Sequence, residues 1–166
     1  MLRLIPAPLH RAGLVLAHRL RQHWWRLRKP LLSGCRVLAF DDDGRVLLVR
    51  HSYGSGRWML PGGGIGRGED PLTAALRELR EEVGCGLDQP RLFHRIDEPL
   101  SGTINRVHLI CGIAVGTPLP DGREIIEAVF HDPGALPTGM AAALEQGLAE
   151  WITAAKAGHR RPPEQG

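Results

Sequence analysis

Apolar and polar positions along this chain follow two rhythms, one helical and one strand-like. Between residues 9 and 31, Leu9, Leu16, Leu20, Trp24, Leu27 and Leu31 recur at spacings of seven, four and three, with Arg11, His18, Gln22 and Lys29 on the other side. That spacing predicts an amphipathic helix. Pro6 and Pro8 precede it, and Pro30 limits it, because proline disfavours helical geometry in the residue before it. Residues 35–40 and 45–50 are aliphatic and β-branched runs around Asp41-Asp42-Asp43-Gly44, which predicts a hairpin. The three aspartates are read as turn chemistry and carry no metal. A second helix starts at Pro71 behind the cap Asp70, buries Leu72, Ala75, Leu76, Leu79 and Val83, and stops at Gly84. Further strands are predicted at 91–96, 107–115 and 128–131, with turns at Ser101-Gly102 and 118–122, and a last helix at 138–157. The expected organisation is a basic amphipathic helical arm at 1–31, an α/β domain at 32–158 and a polar tail at 159–166.

Composition narrows the class without naming it. At 166 residues, with 43% hydrophobic and 23% charged residues, the chain suits one compact domain with an appendage and is unlike a disordered or collagen-like chain. No apolar run approaches the roughly 20 residues of a membrane-spanning helix. Cys35, Cys85 and Cys111 are far apart and form no CxxC, so neither a disulfide framework nor a zinc cluster is suggested, and a cytoplasmic location is expected. Charge divides the chain more sharply. The first 30 residues hold seven Lys or Arg and no acid, leaving 14 basic and 18 acidic groups in the rest. The arm therefore either packs on its own domain or on a second subunit in a homodimer, or touches a membrane surface or nucleic acid, for which Trp24, Trp25 and their flanking arginines are suited.

The candidate chemistry lies between residues 54 and 84. Seven glycines fall within residues 54–68, a density that means sharp turning or close approach of a ligand to backbone. On the polar face of the following helix, Glu78, Glu81 and Glu82 fit within an arc of roughly 100°. Like charges three or four apart repel by about 0.2–0.5 kcal/mol per pair, and three hard oxygen donors are what Mg²⁺ or Mn²⁺ prefers. An ordinary solvated helix face is the competing account.

The spacing from turn to helix shifts that balance. Gly63, five residues, Glu69, seven residues and then Arg77-Glu78-Leu79-Arg80-Glu81-Glu82-Val83-Gly84 resembles the Nudix box. Eight specified positions match by chance on the order of 10⁻¹⁰ per start site at average residue frequencies. Leu60-Pro61-Gly62-Gly63-Gly64 and the 124–137 segment resemble the flanks of the box, so the likeness covers residues 35–155. Two positions depart from the pattern: Cys85 replaces the last aliphatic residue, and Gly66 stands where many relatives carry an acid.

The resemblance to Nudix hydrolases implies an α/β/α sandwich with a mixed sheet between helices. It implies metal-dependent attack of water on the pyrophosphate bond of a nucleoside diphosphate linked to another moiety, with Mg²⁺ or Mn²⁺ as cofactor. Carried over residue by residue, Glu81 and Glu82 are metal ligands, Glu78 is ligand or base, and the Gly62 carbonyl is a further ligand. Arg77 orients the carboxylates, paired with Glu69 or Glu81, and Glu127, ahead of Glu124, is a later ligand or base. Tyr53, Arg57 and Trp58 are the candidate substrate contacts, with His51 beside them. The alternative is a non-catalytic Nudix-like module that binds a nucleotide or RNA.

Overall fold

The computed structural model describes residues 32–53, 55–100 and 103–157. In chain order these form β1 (Leu32–Phe40), β2 (Val46–His51), β3 (Trp58–Met59), α1 (Pro71–Val83), β4 (Gly86–Leu100), β5 (Thr103–Val115), β6 (Ile125–His131) and α2 (Ala142–Ala157). The strands form one six-stranded sheet in the order β3-β2-β1-β5-β4, with β6 also pairing with β2. β1 runs parallel to β5 and antiparallel to β2, so the sheet is mixed. The predicted amphipathic helix at 9–31 and the polar tail lie outside the described residues.

Period-two alternation places the sheet between two helices. Along β1, Val37 and Ala39 face α1, where they meet Ala75, Leu79 and Val83, while Leu38 and Phe40 face α2 and meet Leu144, Leu148 and Trp151. Burial of strand side chains on both faces requires the near-continuous apolar runs seen in the sequence. The expected α/β/α sandwich is therefore present. Cys85 is fully buried among the α1-side residues and fills its aliphatic position as a small hydrophobe.

Local chemistry explains the element ends. Asp41 Oδ1 accepts from the Asp43 and Arg45 backbone N–H groups at 3.1 and 2.8 Å, so the first aspartate of the hairpin is occupied by the turn itself. Asp70 caps α1 by accepting from Leu72 and Thr73 N–H, and Gly84 ends it in a left-handed conformation, φ 69°. β4, β5 and β6 run longer than their apolar stretches because polar cross-strand pairs continue the ladder; Arg106 grips Asp97 through two bonds of 3.0 and 3.1 Å. Bulges between Asp88 and Arg91 and between Leu92 and His94 break the alternation in β4. The last helix begins at Ala142, not at 138, because Gly139 and Ala141 hydrogen-bond the backbone of Trp58 and hold that stretch extended against β3.

One contact positions the glycine-rich segment. β2 pairs with β1 only where Phe40 meets Val46 and then continues between β3 and β6. Residues 61–65 fill the vacated edge of β1: Val37 N–H donates to Pro61 O, Cys35 N–H to Gly63 O, and Ile65 N–H to Ser33 O, at 2.9, 2.9 and 3.0 Å. Gly62 sits there at φ 143°, and a Cβ on it would lie inside the Cys35 carbonyl and 2.9 Å from the Arg36 Cα. Gly62→Ala is expected to lower stability by about 2–4 kcal/mol, from overpacking against backbone and an unfavourable φ. Chemical denaturation measures it; a loss below about 0.5 kcal/mol, the ordinary scatter of a surface change, would refute the seating.

Candidate functional site

Seating residues 61–65 on β1 raises a backbone ridge, Gly62-Gly63-Gly64, with a cavity on each flank. On one flank is a cleft of about 480 Å³ lined by Tyr53, the three ridge glycines, Glu78, Glu81, Glu82, Asp121 and Glu124. On the other is a cavity of about 610 Å³ that shares the ridge and runs along β1 and the start of β5. The acids of α1 reach the first cleft because the helix packs its apolar face on the sheet and turns Glu78 against Gly63. A Cβ at residue 63 would stand 2.6 Å from Glu78 Oε1, so the glycine is what admits that carboxylate.

Arg77 is the cation among these acids. Its Nε and Nη2 donate to the two oxygens of Glu69 at 2.9 and 3.0 Å, and its Nη1 donates to Glu78 Oε1 at 2.8 Å and Glu81 Oε2 at 3.3 Å. Nη2 also donates to Gly64 O at 3.1 Å, tying helix to ridge. Glu69 Oε2 accepts from the Gly66 N–H at 2.7 Å, so the residue that departs from the box supplies a backbone donor to it. The hydrogen bonds from Arg77, followed by that from Gly66, hold the Glu69 carboxyl below its ordinary range, and Glu69 and then Glu78 keep the guanidinium firmly protonated. Of the two expected partners, Arg77 takes both.

Glu82 is different. It is 6% exposed, and its Oε2 accepts from Gly62 N–H at 3.0 Å. Burial pushes its carboxyl up from 4.5 to about 8; the Gly62 N–H works against this, and the negative charges of Glu78, Glu124 and Asp121 add to it. Burial likewise pushes the Cys35 thiol, beneath Gly63, up to about 11.

The set fits a hard divalent cation by its chemistry: carboxylate oxygens in excess of the one guanidinium, including a buried carboxylate compensated by a single N–H, beside a backbone strip without side chains. As placed, Glu78 and Glu81 turn to Arg77, and among the described residues no three His, Cys, Asp or Glu side chains close around one point.

The remaining candidates divide. Tyr53 lines the cleft and His51, 5.2 Å from it between ring centres, lines the cavity across the ridge. Glu127 does not line the cleft: its carboxylate accepts from Arg50 Nη1 at 3.1 Å on β6. Glu124, ranked behind it from sequence, does. Arg57 is exposed and lines neither cavity. Trp58 lines neither and packs instead, edge-on to His131 with ring centres 5.0 Å apart and with the Arg50 guanidinium 5.6 Å from its ring. Asp121 was missed. Its signal was a lone acid in the 118–122 turn, where Oδ1 accepts from the N–H groups of Arg123, Glu124 and Ile125 at 3.0, 3.0 and 2.8 Å and so fixes Glu124 at the cleft.

Comparison with known proteins gives the family. The model of the NUDIX domain matches residues 31–154. The chain belongs to this family. It is 50% identical over 50 residues to an RNA pyrophosphohydrolase of Halorhodospira halophila, covering 30% of this chain and 27% of that protein. It is 38% identical over 89 residues to an ADP-ribose pyrophosphatase of Mycobacterium tuberculosis, covering 49% and 43%. The chain thus spans less than half the length of these curated relatives. Among solved structures, a MutT NUDIX hydrolase from Burkholderia pseudomallei superposes with a TM-score of 0.65 at 25% identity, covering 72% of this chain and 96% of that one. Among the described residues no helix is long and apolar enough to cross a membrane.

The elevated Glu82 carboxyl has a consequence for stability. Between pH about 4.5 and about 8 the folded protein keeps a proton there that the unfolded chain has released. This contribution is complete below the lower value and is lost as pH rises through the upper one. In chelator, the native chain is expected to lose on the order of a few kcal/mol across that window, and Glu82→Gln, which keeps the acceptor for Gly62, to flatten the loss. Thermal melts from pH 4 to 9 decide it; identical profiles for the two proteins would refute it.

Proposed function

We propose that this chain is a metal-dependent hydrolase of the pyrophosphate bond in a nucleoside diphosphate linked to another moiety. The observation that carries the proposal is the buried Glu82 carboxylate, bonded among the described residues only to the Gly62 N–H, in a cleft with Glu78, Glu81, Asp121 and Glu124. An acid is costly to bury unless a cation is meant to meet it. Glu78, Glu81 and Glu82 with the Gly62 carbonyl would hold Mg²⁺ or Mn²⁺. When bound, the divalent ion offsets charge on the phosphate oxygens and makes water more acidic.

The chain's own groups do the rest. The ridge, bare of side chains, lets a diphosphate approach the backbone, and its N–H groups are polar where the anion must lie. Arg77, fixed by Glu69, sets the directions of Glu78 and Glu81 and limits their mutual repulsion until a cation replaces it as their partner. A carboxylate in the cleft, Glu78 or Glu124, accepts the proton of the attacking water. Attack at phosphorus forms the new P–O bond as the bridging P–O bond breaks, leaving two phosphorylated products. Glu124 is preferred to Glu127 for the later role, because it lines the cleft while Glu127 pairs with Arg50. The names of the two relatives are consistent with a diphosphate or longer anhydride as the bond broken.

A panel of nucleoside diphosphate derivatives with magnesium, read by monophosphate or phosphate release, tests the function. Glu82→Gln is expected to reduce kcat at least about 10³-fold, the scale of removing one electrostatic element of an active site, without loss of melting temperature. Near-normal turnover in that variant would overturn the metal assignment. Wild-type protein that binds nucleotides and cleaves none would establish the binding-module alternative. For the later carboxylate, Glu124→Gln is expected to cost about 10²-fold or more and Glu127→Gln only a few-fold, on the scale of general-base loss. The reverse order, measured as kcat/KM on the same substrate, would move the role to Glu127.

A further inference from the structure

The 610 Å³ cavity across the ridge has a different chemistry from the acidic cleft. Leu32, Met59, Leu60, Ile65 and Val107 give it apolar walls. Two arginines also line it: Arg36, paired with Glu98 through two bonds of 2.6 and 2.7 Å, and the exposed Arg67. Among the described residues no Asp or Glu lines it. A flat uncharged heteroaromatic ring gains from such apolar walls and can stack on a guanidinium plane.

One polar group there is unused. Asn105, half-buried on β5 and lining the cavity, makes no hydrogen bond with its carboxamide among the described residues. In the β1–β5 register Asn105 faces Leu32 and Gly34 faces Val107, yet a Cβ on Gly34 would come within 3.5 Å of Asn105 Oδ1 and 3.6 Å of Nδ2, as well as 3.2 Å of Gly63 O. The missing side chain leaves the amide open. A carboxamide that no protein group engages can pair with a ligand in the cavity through both its donor and its acceptor.

We propose that Asn105 is a specificity-determining residue that reads the hydrogen-bonding edge of a nucleobase held in this cavity. The inference rests on the assignment of the diphosphate to the adjoining ridge. A carboxamide offers one donor beside one acceptor, and turning it over reverses their order, so it matches any edge that presents an acceptor beside a donor. Adenine does so through N7 and its N6 amino group. A carboxylate at the same position only accepts, so it matches two adjacent donors, which guanine presents at N1–H and its N2 amino group, and it opposes the N7 acceptor of adenine.

The test is binding, kept apart from turnover. Titration calorimetry in magnesium compares AMP, GMP, CMP, UMP and ribose 5-phosphate on the full chain. Wild type is expected to hold at least AMP about tenfold more tightly than ribose 5-phosphate, and Asn105→Ala to remove most of that margin, on the scale of a paired hydrogen-bonding edge. Asn105→Asp is expected to shift the GMP-to-AMP affinity ratio about tenfold towards GMP; this gain in one ligand cannot come from general damage to the fold. Equal affinity of wild type for AMP and ribose 5-phosphate, an unchanged margin in Asn105→Ala, or an unchanged ratio in Asn105→Asp would overturn the proposal. Loss of hydrolysis in wild type with these binding changes intact would refute the hydrolase assignment while sustaining this one. Normal hydrolysis with indifferent Asn105 variants would do the opposite.

Discussion

The seating of residues 61–65 on the free edge of β1 is the constraint from which the site follows. β2 leaves β1 after one residue pair, and the backbone groups it abandons would be costly if left buried without partners. The glycine-rich segment satisfies them at alternate residues, Val37, Cys35 and the Ser33 carbonyl. Only a residue without Cβ fits at position 62, where the chain lies against the Cys35 carbonyl. The same three bonds that complete the sheet therefore expose a bare ridge on the surface. Ligand access is a by-product of satisfying β1.

Helix α1 then works against its own electrostatics. Its apolar face is fixed by Ala75, Leu79 and Val83, which leaves Glu78, Glu81 and Glu82 no choice but to point towards the ridge. Arg77 bonds to Glu78 and Glu81, while Glu69 takes the other side of its guanidinium. Glu82 has the Gly62 N–H instead. The cation is thus shared among the exposed and half-exposed acids, where each bond is worth least, and the deepest carboxylate is left to raise its proton affinity. That distribution stabilises the metal-free fold poorly and suits a site that a divalent ion completes.

Much of this was legible in residue order. Asp70, Pro71 and Gly84 marked both ends of α1 by their capping chemistry, and the box placed Arg77 and the three glutamates on one face of one helix. What could not be read was contact across the sheet. Glu124 and Glu127 are three apart and look equivalent in sequence; a turn held by Asp121 brings one to the cleft, and pairing of β6 with β2 sets the other against Arg50. Trp58 beside the glycine turn reads from sequence as a packing ring or a stacking one, and β3, two residues long and without a periodic signal, sets it against Gly139 and His131. Asn105 lay in the polar lead-in to an apolar run, and its approach to Gly34, diagonal to it across the β1–β5 pair, becomes visible only in the structure.

The ridge also separates two chemistries that would interfere if merged. A diphosphate needs concentrated positive charge, which the acids of the cleft can recruit, whereas an aromatic base gains from apolar burial and directional hydrogen bonds. Carboxylates beside the base would compete for its donors and raise the cost of desolvating the pocket. On the second flank the Glu98 carboxylate is held by Arg36, and three glycines keep the flanks apart. A substrate crossing it would meet charge at one end and shape at the other, so the bond to be broken can be held the same way while the group beyond the ridge varies.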